Sequence, residues 1–215
     1  MPTIRKLVPR ALSEESWAPF GWIPLPDTDP RDGEHRLEFA WADAHVNVIG
    51  HTLDELEEVG GALRCPEMYR HLTHTQTLMP LDHSAVIAVA PADDPLESPA
   101  DAERIEAFVL RPLDSIVLDR GTWHWGPYPL GARAVRLFNV QGFRYAEDND
   151  RADLGARGLT FDVATDALPA WQASRSGVIP VSVATFGFAP ASRSIFVVAA
   201  SPWSAAQCSA VLPSG

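Results

Sequence analysis

The sequence predicts an all-β fold, a barrel or a sandwich, with a few short helices. Three observations predict it. Short apolar runs recur through the first two thirds of the chain, each bounded by Pro, Gly or Asp. The clearest helical signals end before residue 64, so the strand-helix alternation of a parallel βαβ sheet is missing. No repeat of solenoid period is visible.

The elements follow in order. Ser13-Glu14-Glu15-Ser16 ahead of Trp17 and Phe20 reads as a capped short helix ending at Gly21. Residues 24–36, PLPDTDPRDGEHR, form a polar loop. HVNVIGH, 45–51, alternates as a strand does. LDELEEVGG, 53–61, has helical propensity but stops at a glycine pair. RHLTHTQTLMPL, 70–81, and SAVIAVAP, 84–91, read as two strands around the turn Leu81-Asp82-His83. ADDPLESPADAER, 92–104, is a charged surface loop. IEAFVLRP (105–112), DSIVLD (114–119) and ARAVRLFNVQGF (132–143) are three further strands. Between the last two, Gly121 makes a turn with positive φ. His124 then lies on the returning strand, and Pro127 and Pro129 are expected to end its pairing.

Composition bounds the function. The chain has 215 residues, 46% of them hydrophobic, enough for a core without disulfides. Its net charge of −11 excludes nucleic acid and anionic membrane surfaces as natural partners, because both require clustered cations. Two cysteines, Cys65 and Cys208, make neither a disulfide framework nor a thiolate metal site. Neither a secretory h-region nor an apolar stretch of membrane-spanning length is present, so a cytoplasmic location is expected. Lys6 is the only lysine, so no other residue can form a Schiff base through a lysine amine. Every acidic residue lies at or before Asp166. We therefore divide the chain into a domain over 1–165 and an Ala/Ser/Pro-rich tail over 166–215. The tail reads as two extra strands, as a poorly ordered segment, or as a GC-rich gene read out of frame that is no part of the core fold. GxGxxG, P-loop, HExxH and GxSxG motifs are all absent, which removes the common nucleotide, zincin and serine-hydrolase readings.

The histidines carry the chemistry. The spacing D-x5-R-G-x2-H at residues 114–124 resembles the second motif of the cupin barrel, which delivers a histidine into the barrel mouth. Gly121 and His124 match it, and Asp119 replaces a proline. The first cupin motif is degraded. On a regular strand His71 and Gln76 face opposite ways, and only a bulge or turn between them would bring them together. Trp123 and Trp125 are expected on the face opposite His124. Adjacent Arg70 and His71 are likewise expected to diverge. His74 and His83 read as surface or turn residues, and His35, His45 and His51 as ordinary ones.

"MYRHLTHTQTLMPL", "SAVIAVAP", "IEAFVLRPLDSIVLDRGTWHWGPYPLG" and "VRLFNVQGFRYAEDND" together resemble the ureidoglycolate lyase family of the cupin superfamily. "ALSEESWAPFGWI" resembles the family opening. The resemblance runs over about residues 8 to 154, in order. It implies a double-stranded β-helix of jelly-roll type that cleaves a C–N bond of a small ureido carboxylate, ureidoglycolate, to glyoxylate and urea in purine and allantoin catabolism. It also implies a homodimer. Catalytic candidates are His71, His124, Asp119 and Arg120. Substrate-binding candidates are Arg70, Gln76, Tyr69 and Trp123. A divalent metal ion, if held, is expected on His71, Gln76 and His124. Three positions depart from the family pattern: Tyr69 replaces a glutamate, and Asp119 and Trp125 replace histidines. Two other readings stay open: another small-molecule cupin enzyme, such as an isomerase or metal-dependent dioxygenase, or a catalytically silent barrel that senses a small acid.

Overall fold

A computed structural model of the chain describes residues 4–40 and 43–165. The tail over 166–215 lies outside the described residues. The elements run β1 (Arg5–Leu7), β2 (Arg10–Ala11), α1 (Glu14–Trp17), β3 (Gly21–Trp22), β4 (Ala44–Thr52), β5 (Ala62–Cys65), β6 (Glu67–His71), β7 (Gln76–Pro80) and β8 (Ala85–Ala90). They continue as β9 (Glu106–Leu110), β10 (Ile116–Leu118), β11 (Trp123–Pro129), β12 (Ala134–Gly142), β13 (Asn149–Asp153), α2 (Leu154–Arg157) and β14 (Phe161–Ala164). The fold is all-β and cupin-like, as expected.

The strands form three sheets. Their orders are β1-β14-β5, β3-β10-β7-β12-β4 and β13-β6-β11-β8-β9-β2. The hydrogen bonding does not close them into one barrel. Instead, the six-stranded sheet lies between two cores. Val86, Ala88, Ala90, Ala107, Val109, Trp123 and Trp125 pack with Leu63, Cys65, Phe161 and Val163 of the three-stranded sheet. The alternate residues Ile87, Val89, Phe108 and Leu110 pack with Leu78, Ile116 and Leu118 of the five-stranded sheet. Period-two alternation therefore feeds both layers. A strand buried on both faces must be apolar throughout, and β8 reads AVIAVA, with every residue buried. Trp17, Phe20 and Phe108 close one end of the second core, their ring centroids 5.3–5.8 Å apart. The Trp17 indole N–H donates to the Val117 carbonyl at 3.1 Å, so the ring is buried without an orphaned donor.

Helix α1 is capped as read, with Ser13 and Ser16 bonding reciprocally. Three expectations are corrected. The helical propensity of 53–61 is realised only as a 3-10 turn, Leu53–Glu55. The run 70–81 is broken at 72–75, so it forms the end of β6 and all of β7 rather than one strand. Pro127 does not end the pairing of β11, which runs on to Pro129 and ends there. A register shift between Trp125 and Tyr128 absorbs Gly126-Pro127, and Tyr128 and Pro129 pair again with Val86 and Ala85. Among the described residues no helix is long and apolar enough to cross a membrane.

Candidate functional site

The site lies between the five- and six-stranded sheets. The backbone alternation decides which side chains reach it. On β11, Trp123 and Trp125 point into the outer core, so His124 points inward. On β6, Met68 joins the outer core, so Tyr69 and His71 face inward, and Tyr69 pairs directly with His124. Opposite them stand Gln76 and Leu78 of β7, Leu137 and Gln141 of β12, and Ile49 and His51 of β4. Together with Tyr128, Tyr145 and Asn149 they line a cavity of about 310 Å³. That volume suits a small metabolite.

The turn that β6 makes after His71 is what brings His71 and Gln76 together. Asp148 holds it. Its carboxylate accepts from the backbone N–H groups of Leu72 at 3.2 Å and Thr73 at 2.8 Å, and from the Thr73 hydroxyl at 2.5 Å. Arg120 supports the same turn by donating to the Leu72 carbonyl at 2.9 Å. The turn also buries His74, which is only 2% exposed. Of the two positions expected for His74, surface or turn, the turn holds and the surface is corrected by its burial. Its ring stacks on His71 at 4.5 Å between centroids, and His71 in turn lies 5.4 Å from the His124 ring.

All three imidazoles are held neutral at pH 7. Burial pushes His124 down to about 3, and repulsion from His71 adds to it. Burial and His71 together push His74 down to about 4. Burial lowers His71 as well, opposed by its contact with Asp148. The His124 Nδ1 lies 3.2 Å from the Thr122 carbonyl, which fixes the proton on Nδ1 and leaves Nε2 as a lone pair. His71 Nδ1 meets the Asp148 carbonyl at 3.4 Å with the same consequence.

Gln76 is oriented by an amide ladder. Its Nε2 donates to Asn139 Oδ1 at 2.9 Å and to Gln141 Oε1 at 3.2 Å, and Asn139 donates onward to Asn47 at 2.8 Å. Gln76 Oε1 is buried with no hydrogen-bond partner. An orphaned buried acceptor costs about 1–3 kcal/mol, so this atom is held ready for a donor or a cation. The Tyr69 hydroxyl donates to Glu67 at 2.7 Å, and burial followed by that carboxylate raises its pKa. It stays protonated at pH 7.

The other candidates lie elsewhere. Asp119 and Arg120 line a separate, open pocket of about 720 Å³ with Trp22, His35 and Glu38. Asp119 also borders the small gap behind His71, His74 and His124, and burial raises its pKa. Arg70 and Trp123 face the opposite side of the sheet, with the guanidinium 4.1 Å from the indole ring. Arg70 also pairs with Asp150 at 2.9 Å, and the Trp123 indole donates to the Asp94 carbonyl at 2.8 Å. Among the described residues, no lysine or arginine lines the inner cavity. Sequence reasoning missed His74, Asp148, Tyr128 and the amide ladder. It treated His51 as ordinary, although His51 lines the cavity.

No curated protein matches the chain. The family model described as ureidoglycolate lyase matches residues 4–156, a span that includes every residue lining the inner cavity. The chain therefore belongs to the ureidoglycolate lyase family.

Proposed function

We propose that this lyase cleaves ureidoglycolate to glyoxylate and urea in the inner cavity, as a step of purine catabolism. The observation that carries the reading is the convergence of neutral His71 and His124 with the unpartnered Gln76 carbonyl on a cavity of metabolite size. Ureidoglycolate bears a hydroxyl, a ureido nitrogen and a carboxylate on one carbon. His124 Nε2 takes the hydroxyl proton. The O–H electron pair forms the C=O bond of glyoxylate, and the C–N pair departs on the ureido nitrogen. The imidazolium returns its proton to that nitrogen and releases urea. Gln76 Oε1 accepts from a ureido N–H and so aligns the C–N bond. Tyr69 and Tyr128 close the walls and reduce the water that competes for the carbinolamine.

The expected divalent ion would find donors in neutral His71 and the orphaned Gln76 Oε1, while the one free lone pair of His124, on Nε2, serves the hydroxyl proton instead. When bound, such an ion supplies the positive charge for the substrate carboxylate that no lysine or arginine lining the cavity supplies. Arg70 and Asp119 are assigned supporting roles outside the cavity, and Arg120 holds the turn that carries His74. A homodimer, which the family resemblance implies, is supported by Val46 and Val48, each 58% exposed on the outer face of the edge strand β4.

The test is glyoxylate release from racemic ureidoglycolate, with and without added divalent metals. Release above the spontaneous rate, abolished in His124→Gln, is expected. No release with any metal rejects the lyase reading. Tight binding without turnover would favour a sensor of small acids.

A further inference from the structure

His74 has no place in the reaction described above, yet it is buried among the site residues. It is 2% exposed, yet neither ring nitrogen has a hydrogen-bond partner. Its Nδ1 lies 3.3 Å from Asp148 Oδ2 but makes no hydrogen bond with it. A buried imidazole with two unmet polar atoms costs more than a leucine of similar size would. Packing alone therefore gives no reason for histidine here.

The surroundings are built for this ring. Gly142 is the backing residue: a Cβ added there would lie 2.6 Å from His74 Nδ1. Only glycine leaves the imidazole its room. Ligand atoms of His71, His74 and Asp148 all lie within 4.8 Å of one another, close enough for small side-chain shifts to bring them onto one ion. Asp148 is already fixed by three hydrogen bonds to Leu72 and Thr73, which orient its carboxylate. Gln76 borders the same gap as His71 and His74, and its Oε1 is buried without a partner. His124 does not join the His71, His74 and Asp148 cluster.

We propose that His71, His74 and Asp148 bind a divalent transition-metal ion of the zinc, cobalt or nickel class, with Gln76 Oε1 or water as a further ligand. Two imidazoles and a carboxylate suit such ions better than magnesium or calcium, which prefer all-oxygen shells. His74 is the added ligand, and it moves the ion away from His124. His124 then stays free as the base, and the ion stands on the cavity wall at His71. The proposal deepens the metal part of the lyase reading but does not rest on the reaction itself.

Cobalt is the probe, because tetrahedral or five-coordinate cobalt absorbs in the visible. The full chain is stripped with a chelator, dialysed and titrated with cobalt chloride. One equivalent is expected to bind with visible d–d absorption. His74→Asn and Gly142→Ala, the second of which crowds the ring without removing it, are each expected to weaken binding at least about tenfold. His124→Gln is expected to retain the ion while losing glyoxylate release. Thermal melts of each metal-free variant check that it is folded. Absence of stoichiometric cobalt binding overturns the proposal. So does binding that survives in folded His74→Asn, or binding that is lost in His124→Gln. Cobalt bound through His74 without lyase turnover rejects the reaction and keeps the site. Turnover in protein that binds no metal does the reverse.

Discussion

Three residues depart from the family pattern, and their positions determine what each departure means. Trp125 sits in the outer core, its ring 4.6 Å from that of Tyr128, and does not line the cavity. Asp119 lines the open outer pocket and the back of the histidine cluster. Only Tyr69 replaces a family residue on the cavity wall itself. The inner cavity therefore retains His71, Gln76 and His124. The inward aim of His124 was legible in the sequence, because a tryptophan on each side of it can be buried only on the opposite face. The burial of His74 was not legible. It depends on a carboxylate 74 positions further on breaking the strand, and nothing local to residues 70–81 announces that. At this scale Gln76 provides a direct test. Gln76→Leu keeps the volume but removes the donor that Asn139 Oδ1 and Gln141 Oε1 share. We expect a stability loss of about 1–3 kcal/mol in urea titration and at least a tenfold fall in kcat/KM for ureidoglycolate, on the order of one lost hydrogen bond in the transition state. A variant with unchanged kcat/KM would show that the amide does not touch the substrate.

Among the elements, the strands with an alternating or wholly apolar pattern were legible, and the short strands without one were not. β4, β8, β9, β10 and β12 each appear in the sequence as a run of apolar residues. β1, β2 and β3 are two or three residues long, and β13 reads NDRAD, an edge strand with a charged outer face. Such segments pair because their neighbours present free edges, a cause that no local pattern encodes. β11 was misread for a different reason. Proline lacks an N–H, so two prolines in seven residues argue against a continuing ladder. The strand evades the rule by placing Gly126-Pro127 in the register shift and resuming at Tyr128. The shift also aims Tyr128 at the cavity. Gly126 makes it feasible, with φ at 88° and room for no Cβ, which would fall 2.9 Å from the Val86 carbonyl oxygen. Gly126→Ala should cost at least about 1–2 kcal/mol, measured as a lower urea midpoint. It should also raise KM, because Tyr128 moves with the shift. A midpoint equal to that of the parent chain would mean that the bend tolerates a side chain.

For the whole molecule, the arrangement of the layers sets how the protein responds to acid. The six-stranded sheet is covered on both faces, so the histidine cluster is backed by apolar strands and by Asp148 with its turn, while His71 and His124 face the inner cavity. Burial there keeps the rings neutral, with His74 at about 4 and His124 at about 3. In the unfolded chain the same groups titrate near 6.5. Below that value the unfolded state binds protons that the native state refuses, so stability rises with pH through this range. Their contribution is complete above about pH 6.5 and is withdrawn as the pH falls towards the native values. At pH 5 each of these two rings should already cost on the order of 1–2 kcal/mol relative to pH 7. Carboxylates with ordinary values near 4 contribute little between pH 7 and 5, so the histidines dominate that window. The measurement is the urea midpoint of chelator-treated protein at pH 7 and pH 5, for the parent chain and for His124→Gln. The parent midpoint should fall, and the variant should fall by less, because glutamine binds no proton in either state. Equal slopes in the two proteins would mean that His124 reaches solvent and is protonated in the native fold. That outcome would also remove the neutral base on which the proposed C–N cleavage depends.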